Sequence, residues 1–511
     1  MKSGMILEDG KISRACRTVS AGSAFREDFM AVLSNLEPKA VFEYFEKLCA
    51  VPHGSGNTKI ISDLCVSFAK ELGLKWRQDE LNNVVIWKDG TPGYEDADPV
   101  ILQGHMDMVC AKTEDCPKDM AREGLDLATD GEYVWAKETS LGGDNCIAVA
   151  MALAILADKT MPHPPLEAVF TVDEEVGMEG AFGLDCSDLK GRQLLNLDSE
   201  EEGIFTVSCA GGVRMDCMLP GAQRSLTGET GYAVTISGLQ GGHSGAEIDK
   251  GRASANVLAG RTLYSAMERV PGLRLADIRG GKFDNVICPY SESRIAVPAG
   301  REAVFEAFIK EFDGILKNEY AGRDEGVSLV CEKTALETAL SPEDTGRLLR
   351  TLLILPQGVQ AMNVDFPGLV QTSLNLGVMR MEEDGLHLTV SIRSCIASQK
   401  AELCQRVRAI IETGGGTAEA RSDYPGWQYQ RDSLLRRRLM EVYRDHTGKD
   451  AVIEATHGGL ECGLFIEKLP GLDAVSLGPE LRDIHSPRER LGVASTERVY
   501  RLVCEFLKRS R

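Results

Sequence analysis

The sequence predicts a discontinuous α/β protein in which a mostly parallel sheet, layered with helices, is interrupted by an inserted α+β segment. From about residue 58 to 205, helices alternate with strands that are apolar almost throughout, as in parallel sheets buried on both faces. From about 206 to 425 the strands alternate polar and apolar residues, which indicates an antiparallel sheet covered by helices on one side. The first pattern returns after about residue 430, so the middle segment is predicted to be an insertion.

Length and composition are those of a protein with more than one domain. The 511 residues exceed what one hydrophobic core usually supports. A formal net charge of −20 argues against nucleic acids and anionic membranes as partners, and no apolar run approaches the roughly 18 residues of a membrane span. The 15 cysteines are scattered without a C-x-x-C pair, so reduced thiols in a cytoplasmic protein are predicted in preference to disulfides.

These patterns divide the chain into four parts. Residues 1–29 are irregular and are predicted to be a loosely attached N-terminal extension that is not necessarily native, with Met30 as an alternative start. Residues 30–205 and 429–511 are predicted to form the α/β domain, and residues 206–428 the inserted domain. The order of elements in the inserted domain roughly recurs, which predicts two similar halves at about 206–335 and 336–428.

Individual elements follow from helical spacing, apolar runs and turn residues. In the α/β domain they are helices 29–51 and 59–74, strands 82–88 and 99–109, helix 144–158, strands 166–177 and 193–200, helix 434–448, strands 451–457 and 473–478, and helix 496–509. In the inserted domain they are strand 230–239, helix 252–270, strand 285–297, helix 302–320, strand 326–333, helix 342–355, a hairpin of 370–381 with 385–395, helix 401–415 and strand 417–425.

Acidic and histidine side chains follow several strands of the α/β domain. They are His105, Asp107, Asp144, Glu174, Glu175, Asp198 and His485. Ligands bind beyond the carboxyl ends of the strands in open α/β sheets. Two histidines and three carboxylates suffice for two divalent cations when one carboxylate bridges them, which leaves Glu174 as a base. The pattern indicates metal-assisted hydrolysis.

Each of these groups also has a purely structural interpretation. Asp107 can accept the outer ring N–H of His105 and so fix its tautomer, or the pair simply ends a strand at a loop edge. Asp144 opens a helix after two glycines, so it caps the helix, bridges two cations, or does both. Glu174 and Glu175 point apart, so that one binds metal while the other faces the attacking water, or both belong to a solvated acidic turn.

The motifs HMDMV, TSLGGDN, DEEVG, NLD and HSPRE, with the turn GGHSG, resemble those of the M20 metallopeptidases. The segments TSLNLGV, THGGLECG and LGPELRDIHSPRERL are most similar to those of the branch of bacterial aminoacyl-histidine dipeptidases. The resemblance covers about residues 30–511.

The resemblance implies a site for two Zn²⁺ ions, for which Mn²⁺ and Co²⁺ are alternatives. His105, Asp144 and Asp198 would hold one ion, and Asp144, Glu175 and His485 the other. Glu174 would be the general base and Asp107 the residue that orients His105. Aspartate at position 198 goes with aminopeptidases and dipeptidases in this superfamily, whereas glutamate goes with carboxypeptidases and deacylases.

The resemblance also implies roles for the inserted domain, which corresponds to the family's lid. His243 would stabilise the oxyanion, Asn285 would contact substrate, and Arg393 would pair with the substrate carboxylate. Structural alternatives are a histidine of a glycine-rich turn and an arginine on a strand surface. His457 and Gly459 would line the floor of the pocket.

Three further residues near these motifs have open roles. Glu461 either supports the site or caps a helix. Cys110 and Cys146 lie close to the acidic groups, where a thiolate could ligate zinc, although small buried side chains are the preferred interpretation.

The implied activity is hydrolysis of dipeptides with a free N-terminus, Xaa-His dipeptides included. The alternatives are another M20 hydrolase, such as a tripeptide aminopeptidase or an N-acyl amino acid deacylase, and a peptide- or metal-binding protein without catalysis. Relatives with a small lid dimerise so that a neighbour's histidine completes the site. Here both halves of the lid belong to one chain, so a monomer or a homodimer is expected.

Overall fold

The computed structural model describes residues 32–511, so the predicted extension at 1–29 lies outside the described residues. The helices of the described part are α1 Lys39–Cys49, α2 Lys59–Glu71, α3 Gly143–Ala157, α4 Glu179–Gly183, α5 Ala255–Arg269, α6 Glu302–Glu319, α7 Pro342–Ile354, α8 Ala397–Thr413, α9 Leu434–Thr447, α10 Cys462–Lys468 and α11 Val493–Arg509, with a short 3₁₀ turn at Ile248–Lys250. None of them is long and apolar enough to cross a membrane.

The strands of the described part fall into two large and two small sheets. They are β1 Lys75–Gln78, β2 Val84–Lys88, β3 Val100–His105, β4 Leu127–Thr129, β5 Tyr133–Ala136, β6 Leu166–Thr171, β7 Gln193–Asn196, β8 Ile204–Cys209, β9 Gly211–Pro220, β10 Gln223–Ser225, β11 Thr230–Ser237, β12 Arg274–Gly280, β13 Ser291–Val297, β14 Ser328–Lys333, β15 Thr338–Leu340, β16 Gly358–Met362, β17 Val370–Met381, β18 Gly385–Ser394, β19 Thr417–Tyr424, β20 Val452–Thr456, β21 Asp473–Ser476, β22 Leu481–Arg482 and β23 Arg490–Gly492.

The first large sheet has the order β1-β2-β6-β3-β7-β21-β8-β20. Its central strands β6, β3, β7 and β21 are parallel, and the antiparallel β1 and β2 form one edge. Strands from residues 75–209 and 452–476 therefore share one sheet, which confirms the predicted discontinuous α/β architecture. Helix α3 packs against α1 and β3, and its residues from Asn145 to Leu156 are all buried, as its apolar run predicts.

The second large sheet is antiparallel and has the order β14-β11-β13-β12-β17-β18-β9-β19, with β16 attached to β17. The order is symmetric about the contact between β12 and β17, because each half contains a hairpin, β12–β13 or β17–β18, followed by a helix and an outer strand. Two similar halves were predicted, but β9 precedes the first half in sequence and pairs with β18 and β19 of the second. One half is thus nested inside the other, and a cut at 335/336 would separate β9 from its neighbours.

The chain leaves and re-enters the α/β sheet at adjacent points. Cys209, the last residue of β8, exchanges both backbone hydrogen bonds with Trp427, each with an N···O distance of 3.0 Å. Trp427 is 1% exposed and belongs to the core of the α/β sheet. This paired crossing places the second large sheet directly beyond the ends of β8 and β20.

The first helix is shorter than predicted. Residues 32–38 form turns, and α1 begins at Lys39 after Pro38, whose extended conformation and missing N–H favour a helix start there. The sequence patterns also missed several strands, among them β8 of the first large sheet and β9, β12 and β16 of the second. Their pairing with strands distant in sequence is a matter of tertiary structure.

Candidate metal centre

The predicted ligands converge because three neighbouring parallel strands end together. His105 on β3 is aligned with Thr171 on β6, and Gln103 on β3 with Asn196 on β7. The loops that follow these strands carry Glu174, Glu175 and Asp198 to the same edge of the sheet. Asp144 reaches this edge from the first turn of α3.

Asp144 lies between the two histidines. Its Oδ1 is 3.2 Å from Nε2 of His105, and its Oδ2 is 3.2 Å from Nε2 of His485. Asp198 Oδ1 is 3.4 Å from the same His105 nitrogen, and Glu175 Oε1 is 2.8 Å from the same His485 nitrogen. Two ligand groups share Asp144, His105–Asp144–Asp198 and Asp144–Glu175–His485, and in each the ligand atoms lie within 4.8 Å of one another. A further group at this site, His105–Glu174–Glu175, has the same spacing.

The predicted contact between Asp107 and His105 is present. It does not join two residues of one strand, because β3 ends at His105 and Asp107 lies in the segment that follows. The His105 Nδ1 is 3.0 Å from the backbone oxygen of Asp107 and 3.4 Å from its Oδ1. Asp107 also accepts hydrogen bonds from the Ser55 hydroxyl at 2.8 Å and from the backbone N–H groups of Glu174 and Glu175 at 3.1 and 3.4 Å. These contacts orient the ring so that Nε2 faces Asp144 and Asp198.

Electrostatic shifts reflect the crowding of carboxylates at this sheet edge. Burial raises the pKa of Asp198 to about 6, and the nearby Asp144 and Glu175 charges add to the effect. Burial likewise raises the pKa of Glu174 well above its usual range. Hydrogen bonds to Asp144 and Glu175 raise the pKa of His485 to about 10. The group is a concentration of negative charge that a cation would stabilise.

The donor set fits divalent metal ions. Neutral imidazole nitrogens and carboxylate oxygens are ligands that Zn²⁺, Mn²⁺ and Co²⁺ accept. The shared Asp144 directs one oxygen to each group, as a bridging carboxylate must. The capping alternative for Asp144 is not supported, since its side-chain hydrogen bonds among the described residues are to the two histidines and not to backbone N–H groups of α3.

Glu489, to which the sequence motifs gave no role, fixes the loop that carries Asp144. It is 2% exposed, and its carboxylate accepts the N–H groups of residues 141, 142, 143 and 144 at 2.9, 3.3, 2.8 and 3.4 Å. Because Glu489 lies four residues after His485, it connects two ligand-bearing loops that are distant in sequence. A buried carboxylate surrounded by backbone N–H groups is a strong positional constraint.

The lid residues form a second cluster. A Cβ added at Gly245 would lie 2.9 Å from Cε1 of His243 and 3.4 Å from Cζ of Arg393, so these side chains flank one glycine. Arg393 Nη1 is 3.3 Å from the hydroxyl of Tyr424, another residue that sequence reasoning missed, and a Cβ at Gly459 would lie 3.0 Å from the Tyr424 ring.

His457 and Asn285 border this cluster. Nε2 of His457 is 2.8 Å from the Ser373 hydroxyl, and burial, with the Arg393 charge, lowers the pKa of His457 to about 4. The backbone oxygen of Asn285 accepts the N–H of Ser244 at 2.8 Å, which ties its loop to the residue after His243.

The two cysteines near the motifs do not join the ligand groups found in residues 32–511. Cys146 is fully buried and its thiol contacts the backbone oxygen of Met106, whereas Cys110 is exposed. Burial raises the pKa of the Cys146 thiol, so it remains protonated and acts as a core side chain. Every cysteine of the described part is a free thiol.

Comparison with known proteins agrees with this geometry. The sequence profile of peptidase family M20/M25/M40 matches residues 101–509. Cytosol non-specific dipeptidase of Escherichia coli is 37% identical over 481 residues, which are 94% of this chain and 99% of that protein. The crystal structure of aminoacylhistidine dipeptidase from Vibrio alginolyticus superposes with a TM-score of 0.87 at 35% identity, covering 94% of this chain and 98% of the other.

A more distant structure, aminopeptidase PepT from Bacillus cereus, shares the fold with a TM-score of 0.53 at 15% identity over 93% of this chain and 98% of its own. The family is decided by the profile match over residues 101–509 and by the 37% identity to the Escherichia coli relative along nearly the whole chain. The chain belongs to peptidase family M20/M25/M40.

Proposed function

We propose that this protein is a metal-dependent dipeptidase that uses two divalent cations, Zn²⁺ by preference and Mn²⁺ or Co²⁺ as alternatives. The observation that carries the proposal is the position of Asp144, whose two oxygens face His105 and His485 at 3.2 Å each. The names of the Escherichia coli and Vibrio alginolyticus relatives support dipeptides, with Xaa-His dipeptides among them, as the substrate class. The first relative's name and the free thiols support a cytoplasmic location.

Bound cations would lower the pKa of a water molecule and polarise the scissile carbonyl. Glu174 would accept the proton of that water and deliver it to the leaving amine. Its place beside His105 and Glu175, without a role in either ligand triplet around Asp144, suits a general base.

His243 has the protonation state that an oxyanion donor needs. Burial and the Arg393 charge lower its pKa, which favours the neutral ring. Its Nδ1 accepts the N–H of Ala246 at 3.1 Å, so the ring proton resides on Nε2 and is available for donation. If the ring were protonated to an imidazolium, Nδ1 would carry a proton and could no longer accept the N–H of Ala246.

Arg393 would bind the terminal carboxylate of the substrate. Its Nε is buried without a hydrogen-bond partner among the described residues, and its Nη1 donates to the Tyr424 hydroxyl at 3.3 Å. A guanidinium with unused donors suits bidentate recognition of a carboxylate. One ion or the nearby carboxylates would hold the free α-amine. A site that holds both charged ends of its substrate in this way would measure the length of a dipeptide.

We further propose that residues 30–205 and 429–511 form the catalytic domain and 206–428 the lid, and that one chain completes the site. His243 follows β11 in one half of the lid, and Arg393 lies on β18 in the other half. Both side chains nevertheless lie next to Gly245. A second copy is therefore not required to bring these two residues together. Sedimentation of the enzyme at the nanomolar concentration of the assay is expected to detect active monomer; activity that disappears with dimer dissociation would contradict this.

A substrate panel on metal-reconstituted protein tests the function. For dipeptides, including those with C-terminal histidine, we expect kcat/KM to be at least about 10²-fold higher than for tripeptides and N-acyl amino acids. A tripeptide would overfill the pocket, and an N-acyl amino acid would leave the site for the α-amine unpaired. Preference for tripeptides or N-acyl amino acids would instead indicate another M20 activity. Tight dipeptide binding without turnover in Zn²⁺, Mn²⁺ or Co²⁺ would indicate a binding protein. Chelator-treated protein is the baseline.

A further inference from the structure

Glu461 is a buried carboxyl that the proposed chemistry does not use. It is 0% exposed and immediately precedes α10. Its Oε2 accepts hydrogen bonds from Nε2 of Gln103 at 2.5 Å and from the hydroxyl of Thr171 at 2.8 Å. The alternative of a helix cap fails, since the Glu461 side chain makes no capping hydrogen bond to α10.

The two donors of Glu461 belong to a chain of contacts across three strands. Gln103 lies on β3 and Thr171 on the adjacent β6, while Oε1 of Gln103 accepts a hydrogen bond from Nδ2 of Asn196 on β7 at 2.5 Å. All three side chains are fully buried. The Glu461 carboxyl thus contacts the ends of two neighbouring parallel strands directly and reaches the third through Gln103, whose Nε2 also donates to the Thr171 hydroxyl at 3.2 Å.

Each of these strand residues closely precedes a proposed ligand. Gln103 lies two residues before His105, and Asn196 two residues before Asp198. Thr171 lies four residues before Glu175. A shift of any strand end would therefore change the spacing of the ligand atoms, and metal sites tolerate little such change.

Glu461 also connects the strands to the wall of the pocket. The segment that it ends carries Gly459, where an added Cβ would lie 3.0 Å from the Tyr424 ring, and His457, whose pKa the Arg393 charge lowers. Its Oε1 is buried without a partner among the described residues. Burial raises the pKa of Glu461 to about 8, which favours the neutral form of the carboxyl.

We propose that Glu461 is a positioning residue, a hydrogen-bond acceptor that holds the ends of β3 and β6, and through Gln103 that of β7, so that His105, Glu175 and Asp198 keep the spacing that two cations need. The inference rests on the proposed metal centre. Glu461 acts through Gln103 and Thr171 and contacts none of the ligand side chains.

Competition with a chromogenic chelator, which measures the affinity of the protein for Zn²⁺, tests this role. Glu461→Leu removes the acceptor at similar volume, and we expect it to weaken Zn²⁺ binding by about 10- to 100-fold. Glu461→Gln keeps the accepting oxygen and places an N–H₂ where the neutral acid has its O–H, so its affinity is expected to stay within about threefold of the wild type.

Glu167→Leu is the matched control. Glu167 is a 3% exposed carboxylate on the same strand as Thr171 but near its opposite end, where it accepts the N–H groups of Lys190 and Gly191 at 2.9 Å. Its replacement is expected to lower the melting temperature while Zn²⁺ affinity remains unchanged. A general loss of stability is thereby distinguished from a loss of ligand spacing.

Unchanged Zn²⁺ affinity in E461L would overturn the inference, as would an equal loss in E461Q, because the charge and not the acceptor would then matter. If E461L does not fold, Thr171→Val replaces it. This isosteric change deletes one hydrogen bond to Glu461 and is expected to weaken Zn²⁺ binding about threefold or more; unchanged affinity would again refute the role. A wild-type protein that binds no second ion would refute the metal centre itself, which is a different result.

Discussion

Glutamine in place of Glu174 is expected to lower kcat by about 10²- to 10⁴-fold while both metal ions stay bound. The amide preserves the shape of the side chain but cannot accept the proton of the attacking water. The backbone N–H of Glu174 still donates to Asp107, at 3.1 Å, so the change leaves the ligand loop in place. Steady-state hydrolysis of a dipeptide, with metal content measured on the same sample, provides the test.

Glu179→Gln is the matched control for this variant. Glu179 lies five residues further along the same loop region, at the start of α4, and is exposed. Its replacement is expected to leave kcat within about twofold, as for ordinary surface changes. Near-normal hydrolysis by E174Q with full metal occupancy would remove Glu174 from the role of base.

The clustering of the proposed ligands His105, Glu175 and Asp198 was predictable from sequence, because these residues follow strands whose pattern is clear. His105, Asp198 and the pair Glu174–Glu175 each lie within four residues of a buried parallel strand, and such strands end together by geometry. The positions of Asp144 and His485 relative to them required the resemblance to a family, since one begins a helix and the other lies in a loop.

The residues that hold the ligands in place were not predictable in this way. Ser55 and Glu489 act on residues 52 and about 345 positions away in sequence. Although Glu489 ends the motif HSPRE, neither residue has a local pattern that identifies its partner. Tyr424 was likewise missed, because it lies at the end of an exposed lid strand and becomes relevant only through its contact with Arg393.

The nesting of the lid illustrates the same limit for the fold. The recurrence of helices and hairpins indicated two similar halves, and the sheet contains them. The membership of β9 depends on pairing with β18 and β19, about 170 and 200 residues later in the chain. Local periodicity defines a strand but not its neighbours, which are decided by long-range packing.

Asparagine in place of Asp144 is expected to leave at most one divalent ion bound per chain and to lower kcat/KM by about 10³-fold or more. The amide retains one oxygen but presents an N–H₂ group, which cannot bind metal, to the other ligand group. The two carboxylate oxygens each lie 3.2 Å from a different histidine, so either orientation of the amide leaves one of His105 and His485 without the shared ligand. Loss of one Lewis acid removes several kcal/mol of transition-state stabilisation, and about 1.4 kcal/mol corresponds to each factor of ten.

Glu489 accepts the N–H groups of residues 141–144, so we expect the loop to keep its position in the D144N variant. Asp173→Asn is the control: Asp173 precedes the glutamate pair and accepts the N–H of Gly56 at 2.6 Å, outside both ligand groups. Isothermal titration calorimetry with Zn²⁺ is expected to detect two binding sites in the wild type and D173N but one or none in D144N. Two intact sites and normal turnover in D144N would show that no shared carboxylate is needed, and the two-ion account of this protein would then be wrong.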